Sequence, residues 1–409
     1  MHTLLFALLL VVLTAEFSLN RILSALNVKN SRLALPAELS DSYNPDTYAR
    51  QQAYFRTNSF FNTITASFNF VLIMAMFILG GFGWLDSWTG SFTSNEIVHS
   101  LLFFGSLFVV SSLLNLPFDY YDTFVIEERF GFNKVTPRLF IIDQLKSLLL
   151  MVLFGGGVLT LVVVIYQLTN DYFWLIAFGA VTGIGLITSM FYSELIVPLF
   201  NKQTPLEEGE LRDAIASFAT TSGFKLDNIY VIDGSKRSTK ANAYFSGIGP
   251  KKRIVLYDTL IAQMTTEEIV AVLAHEIGHY TYKHVLKGFL LSLPFNLLLF
   301  FLLGFTLKSE LPALAIGGTE ASFHLNALVF FTLYTPVSMV PDLLGNIFSR
   351  RHEYQADAFA VQYGYGAALI SALKKLSSSS LSNLMPHPLY VFFNYSHPTL
   401  YQRIKKINA

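Results

Sequence analysis

Seven stretches of the chain are apolar over lengths close to that of a membrane-crossing helix, near residues 3–19, 64–85, 99–117, 147–168, 173–200, 286–308 and 323–348. Crossing the hydrocarbon core takes about 20 predominantly apolar residues. A single soluble helical core does not repeat such runs seven times with charged loops between them, so the pattern predicts a multi-pass α-helical membrane protein. The first run, TLLFALLLVVLTAEF, follows only Met1 and His2 and lacks both a basic leader and a small-x-small cleavage site. It therefore reads as a retained span.

The polar segments alternate in charge. Arg21, Lys29, Arg32, Arg50 and Arg56 follow the first run, Arg129, Lys134 and Arg138 follow the third, and the segment after the fifth and the C-terminal tail are rich in both Lys and Arg. The loops near 86–98, 169–172 and 309–322 hold none, with only Lys308 at the border. Basic loops stay cytoplasmic, which predicts an outward N-terminus and two cytoplasmic hydrophilic pieces. The expected organisation is spans one to five over 1–200, a first hydrophilic piece at 201–285, spans six and seven over 286–348, and a second piece at 349–409. Within the first piece NIYVID and RIVLYD alternate as strands do, and Pro205 to Thr220 suits a helix. The run SSSS at 377–380 is expected to be a loop.

Composition agrees: 53% of residues are hydrophobic and 14% charged, with 38 Phe, where a soluble domain carries about a quarter charged residues. A formal net charge of +0 gives no electrostatic case for nucleic acid. With no cysteine, disulfides, thiolate metal sites and cysteine nucleophiles are excluded. Any metal must be held by His and carboxylates.

The stretch MTTEEIVAVLAHEIGHY begins as a helix should, with Thr265 as N-cap and Glu268 three residues on as its capping-box partner. His275 and His279 then stand one turn apart and can reach one metal ion, with Glu276 beside them able to take a proton from water. Gly278 lets another element approach closely. Zinc hydrolases use three protein ligands, and SRRHEYQADAFA offers His352, Glu353 and Asp357. Glu353 and Asp357 share a helix face, which suits a ligand and a carboxylate orienting a ligand histidine. Equally, the two could be a solvated face paired with Arg350 and Arg351. His284, five residues after His279, points away on a continuous helix and reads as a surface histidine. Glu16, Glu194 and Asp342 lie within or at the ends of spans, where carboxylates facing lipid are costly. Pro294, Pro336 and Pro341 suit kinks in the last two spans.

HEIGH followed by SRRHEYQADAFA resembles the pattern of the type I CAAX prenyl endopeptidases, integral-membrane glutamate-zincin metalloproteases. LPFDYYDTFVIEERFGFNKVT, SKRSTKANAYFSG, KKRIVLYDTL and NYSHPTLYQRI match the same family in order, across nearly the whole chain. The resemblance implies about seven spans ringing a water-filled chamber closed by a cytoplasmic α+β zincin domain. It implies one Zn2+ held by His275, His279 and Glu353, Glu276 as general base, and Asp357 as support for a ligand. Asn242 and Arg403 would bind substrate, and His397 would donate to the oxyanion of the tetrahedral intermediate. The substrate would be a peptide or protein, prenylated or otherwise membrane-associated, cut near its C-terminus at the lipid bilayer. Unaided, SHPTL reads as a helix start capped by Ser396. Three other readings are a membrane quality-control protease without prenyl specificity, a transporter or scaffold with a structural zinc, and a site-two-type protease. Glu276 argues against the structural zinc. The polar flanks MTTEE and YTYKH argue against the site-two type.

Overall fold

The computed structural model describes residues 1–40, 44–224, 229–246 and 253–409; residues 228, 247, 251 and 252, which belong to stretches read above, lie outside these. Among the described residues six helical stretches are long and apolar enough to cross a membrane: His2–Asn30 (α1), Pro45–Ile78 (α2), Glu96–Glu127, Pro137–Phe200, His284–Leu307 and Phe323–Gln362. Only 6–22% of each apolar window is buried. Helices so apolar and so exposed suit lipid rather than water.

Six, not seven, stretches meet that criterion, because the runs near 147–168 and 173–200 merge into one of 64 residues. Straight, it would be about 96 Å long, against roughly 30 Å of hydrocarbon. It folds back instead. Asn170 takes φ 44 and ψ −108, Gly156–Thr169 (α4) packs on Phe173–Phe191 (α5), and Lys146 Nζ donates to the Leu199 carbonyl at 2.6 Å. Glu96–Tyr121 (α3) passes beside α4. All three expected prolines lie inside helices.

Contacts sort the loops by side. Asn30 donates to the carbonyls of Met385 and Pro386 at 3.0 and 3.2 Å, and Arg237 pairs with Asp143 at 2.9 Å, so the basic loops lie beside the hydrophilic pieces. At the opposite end Gln167 donates to Glu96 at 2.9 Å and Lys308 pairs with Asp171.

The hydrophilic pieces form one α+β body. Its sheet has the order β1-β2-β4-β3, with Gln203–Pro205 (β1), Ile229–Ile232 (β2), Ala243–Ser246 (β3) and Arg253–Tyr257 (β4). Strands β2 and β4 run parallel, and the two edge pairings are antiparallel. Both strand readings therefore hold. The helix expected from Pro205 starts later, at Glu210–Thr221 (α6), because Gln203–Pro205 pairs as an edge strand, where proline is tolerated. On the sheet lies Thr266–Thr281 (α7), followed by His284–Leu307 (α8), Phe323–Gln362 (α9), Gly366–Ser379 (α10) and Leu400–Ile407 (α11). Their shared core includes Ile254, Leu256, Ile269, Leu273, Ile277, Phe359 and Leu369. The borders expected at 285/286 and 348/349 fall inside α8 and α9, since both helices leave the membrane and enter the hydrophilic body unbroken.

One loop expectation fails. Ser377 to Ser379 belong to α10, and the hydroxyls of Ser379 and Ser380 fold back onto the Leu376 carbonyl at 3.3 and 2.7 Å. Bonded to the helix backbone, serines cap and tighten the last turn instead of breaking it.

Candidate active site

The metal-binding half of the site is set by two helices. The capping box at Thr265 and Glu268 forms as expected; it fixes where α7 begins and hence which face carries His275 and His279. Helix α9 crosses α7 at Gly278. A Cβ there would come within 3.0 Å of Ala356 Cα and of Phe359 Cβ, so only glycine lets the helices approach this closely. The approach brings Glu353 to the histidines. His275 Nε2 and His279 Nε2 are 3.1 Å apart, and Glu353 Oε1 and Oε2 lie 3.2 Å from His279 Nε2 and 3.6 Å from His275 Nε2. All three donor atoms fall within 4.8 Å of one another.

Neighbouring groups fix which nitrogens carry protons. Asp357 Oδ1 lies 2.8 Å from His275 Nδ1, so Nδ1 donates and Nε2 is left as a lone pair. Gln355 Oε1, which can only accept, lies 2.9 Å from His284 Nε2. Neutral His284 then turns its Nδ1 lone pair to His279 Nδ1 at 2.9 Å, which makes His279 Nε2 a second lone pair. Two lone pairs thus face each other beside a buried carboxylate, and Glu353 Oε2 is buried without a hydrogen-bond partner. A divalent cation satisfies all of these atoms, so the residues fit a metal. Burial alone disfavours charge on His279, yet the adjacent Glu353 carboxylate raises its pKa; the same field favours a metal ion.

His284 is therefore not the surface residue the spacing suggested: it is 5% exposed and supports a ligand. His352 does not join the ligand set; its ring stacks on that of His284 at 3.9 Å. Asp357 stands where expected, behind His275. The Nε and Nη2 of Arg403 are held by Asp357, at 2.9 and 2.5 Å, and Nη1 lies 3.3 Å from Glu353 Oε2. Arg403 is 9% exposed, and although burial opposes its charge, Asp357 and Glu353 raise its pKa. Asp357 takes two of its nitrogens, and the guanidinium positions both carboxylates from the wall of the cavity, which it lines.

A cavity of ≈ 810 Å³ opens over these groups, lined also by Glu276, Asn242, Ala243 and His397. Glu276 is half-buried on the cavity side of α7. His397 Nε2 lies 3.3 Å from Glu353 Oε1, and its side chain is 63% exposed. Helix α11 is capped by Thr399, in a box with Gln402, not by Ser396; Ser396 Oγ instead lies 2.9 Å from His397 Nδ1. Asn242 immediately precedes the edge strand β3, and its Oδ1 accepts from Ala243 N at 2.9 Å. Of the intramembrane carboxylates, Glu194 pairs with Arg253 at 2.5 Å and Asp342 lines a second cavity of ≈ 550 Å³ that shares His279 with the site's surroundings. Glu16 is half-buried in α1.

Asp86, His99 and His324 form another His/carboxylate group. His324 is separated from Glu353 by 29 residues of α9, about 43 Å along the helix. Its Nε2 and Nδ1 lie 2.7 Å from Asp86 Oδ1 and 3.3 Å from Ser100 Oγ, so its hydrogen-bonding capacity is used internally.

A His–Glu–His donor set with a free glutamate beside it, at the mouth of a bundle of membrane helices, defines a membrane-embedded metallopeptidase. The comparisons name the family. Residues 205–409 match peptidase family M48, and residues 24–202 match the CAAX prenyl protease N-terminal domain of five membrane helices. The chain belongs to family M48. It is 36% identical over 408 residues to CAAX prenyl protease 1 of Saccharomyces cerevisiae, covering 93% of this chain and 90% of that one. It is 30% identical over 421 residues to the Homo sapiens CAAX prenyl protease 1 homolog, covering 92% and 89%. The crystal structure of S. mikatae Ste24p superposes with a TM-score of 0.93 at 34% identity, covering 98% of each chain.

Proposed function

We propose that the chain is a zinc endopeptidase acting on prenylated polypeptides of CAAX type. The observation that carries this reading is the cavity itself. The metal-binding donors and Glu276 line it together with apolar residues such as Leu186 of α5 and Val285, Leu286 and Phe289 of α8. A peptide terminus can lie against the polar groups while an attached isoprenoid packs on the apolar ones.

When bound, zinc supplies a Lewis acid and lowers the pKa of water to about 7. The chain supplies the rest. Glu276 accepts the proton of the attacking water and passes it to the departing amine. The Ser396 hydroxyl donates to His397 Nδ1, which leaves Nε2–H to donate to the oxyanion developing on the scissile carbonyl. Among the described residues β3 pairs only with β4, so a substrate strand can add to its outer edge. Asn242 at the head of that edge has its amide nitrogen available for substrate main chain. Asp357, Arg403 and the His284–Gln355 pair hold the ligands in place.

The long stretch Pro137–Phe200 is read as two crossings, giving seven in all, with the N-terminus outward and the catalytic body cytoplasmic. The basic loops that gather on the catalytic side support that orientation. Purified protein should cleave a farnesylated CAAX peptide much faster than its unprenylated twin; equal rates would remove the prenyl specificity but not the peptidase.

A further inference from the structure

Helices α1 and α2 pack together and leave a groove of ≈ 680 Å³ between them on the catalytic side of the membrane. Four cations line it, Arg21, Lys29, Arg32 and Arg56, with four hydroxyls and no carboxylate. Among the described residues, no acidic group forms an ion pair with any of the four. Lys29 lies in the last turn of α1, where the helix dipole by itself favours a cation. That explanation does not reach Arg21 or Arg56, which are more than two turns inside their helices.

Arg21 is the unusual member. An arginine at this depth commonly extends toward the headgroups. Here Nη1 donates to Thr63 Oγ1 of α2 at 3.1 Å, which holds the guanidinium across the groove, while its Nε is buried with no hydrogen-bond partner. A buried N–H of a charged group left unpaired is costly, and an anion's oxygen is the partner that fits it.

Depth selects the anion. Helix α1 has 29 residues, about 43 Å of rise, and spans roughly 30 Å of hydrocarbon. Arg21, nine residues before the end of α1, therefore sits about 13 Å below that end, close to the hydrocarbon boundary where lipid phosphates lie. The groove is graded in the same direction. Lys29 and Arg32 lie at its polar end, while Phe17, whose ring stacks on Phe70 of α2, lines it toward the apolar part of the bundle.

We infer that this groove is a binding site for one anionic glycerophospholipid of the catalytic-side leaflet, its phosphate held by Arg21, its charged headgroup reaching toward Arg56, whose Nε donates to the Gln52 carbonyl at 3.2 Å nearer the polar end, and an acyl chain lying along Phe17. The site is connected to the catalytic body. The C-terminal end of α1 is bonded to the 385–387 segment by Asn30 and by Asn27, whose Oδ1 accepts from His387 N at 3.0 Å.

The test uses the full chain in nanodiscs of phosphatidylcholine, titrated with phosphatidylserine and read by native mass spectrometry and thermal midpoint. Wild type should retain one phosphatidylserine preferentially and melt higher with it. At about fivefold per cation, Arg21→Gln/Arg56→Gln should retain it roughly 30-fold more weakly. Lys405→Gln/Lys406→Gln, an equal loss of charge elsewhere, should behave as wild type, and Arg21→Lys/Arg56→Lys should recover part of the preference. Inorganic phosphate and glycerophosphoserine should give no comparable shift. The inference is overturned if wild type does not prefer phosphatidylserine, if both double glutamine variants lose the preference equally, or if free phosphate stabilises as well as the lipid.

Discussion

His284 Nδ1 lies 2.9 Å from His279 Nδ1, although five residues along an unbroken helix would set them about 140° apart. The helix is broken: Lys283 adopts a left-handed conformation at φ 55 and ψ 39, and the chain doubles back so that α8 begins with His284 against α7. Because this contact fixes the tautomer of a metal ligand, His284→Ala should weaken metal binding by about 10–100-fold while leaving helical content unchanged. Competition with a chelator measures this. Unaltered affinity would remove His284 from the site.

Gly278 is the point where α7 and α9 touch. Its substitution by alanine forces a Cβ to within 3.0 Å of backbone that cannot swing away. Overpacking of this kind costs about 1–3 kcal/mol. The displaced element carries Glu353, so Gly278→Ala should lower metal affinity as well as the thermal midpoint. A stable variant with full affinity would show that the helix spacing is not what sets the ligand geometry.

Glu268 reports on pH. Burial raises its pKa, but Lys375 at 2.7 Å, Ser371 and the Thr265 backbone more than offset this and lower it below the ordinary 4.5. A carboxylate with a depressed folded-state pKa stabilises the fold above its unfolded value, and the contribution is lost as pH falls through the folded value. Glu268→Gln keeps a capping-box side chain but not the charge. It should cost about 1 kcal/mol at neutral pH and nothing once the wild-type carboxyl is protonated, well below pH 4.5. Thermal melts across that range decide it; a penalty independent of pH would contradict the ion pair.

His397→Ala should spare metal content and lower kcat by about 10²–10³-fold, since its partner develops only as the carbonyl is attacked. A change confined to KM would instead make it a substrate-binding group.

Much of this was legible beforehand because helix periodicity is local. His275, Glu276 and His279 follow from one turn of spacing, the start of α7 from its capping box, and the spans from their apolar runs. What escaped depends on chain reversals and long-range pairing. The spacing places His284 at the surface because nothing in the sequence announces the left-handed Lys283 that interrupts the periodicity. Arg403 lies 46 residues from its partner Asp357, and no local pattern announces that contact. The cap of α11 could have been found: Thr399 and Gln402 carry the same signature as Thr265 and Glu268.

The claim that this is a hydrolytic rather than a structural metal site rests on Glu276, whose side chain leaves α7 about 100° round from His275 and ligates nothing. The decisive measurement is kcat for Glu276→Gln on a farnesylated CAAX peptide, taken with the metal content of the same preparation. We predict metal content and fold at wild-type level, with kcat reduced by at least about 10²–10⁴-fold. Cleavage at a near wild-type rate by a fully metallated Glu276→Gln protein would contradict the account.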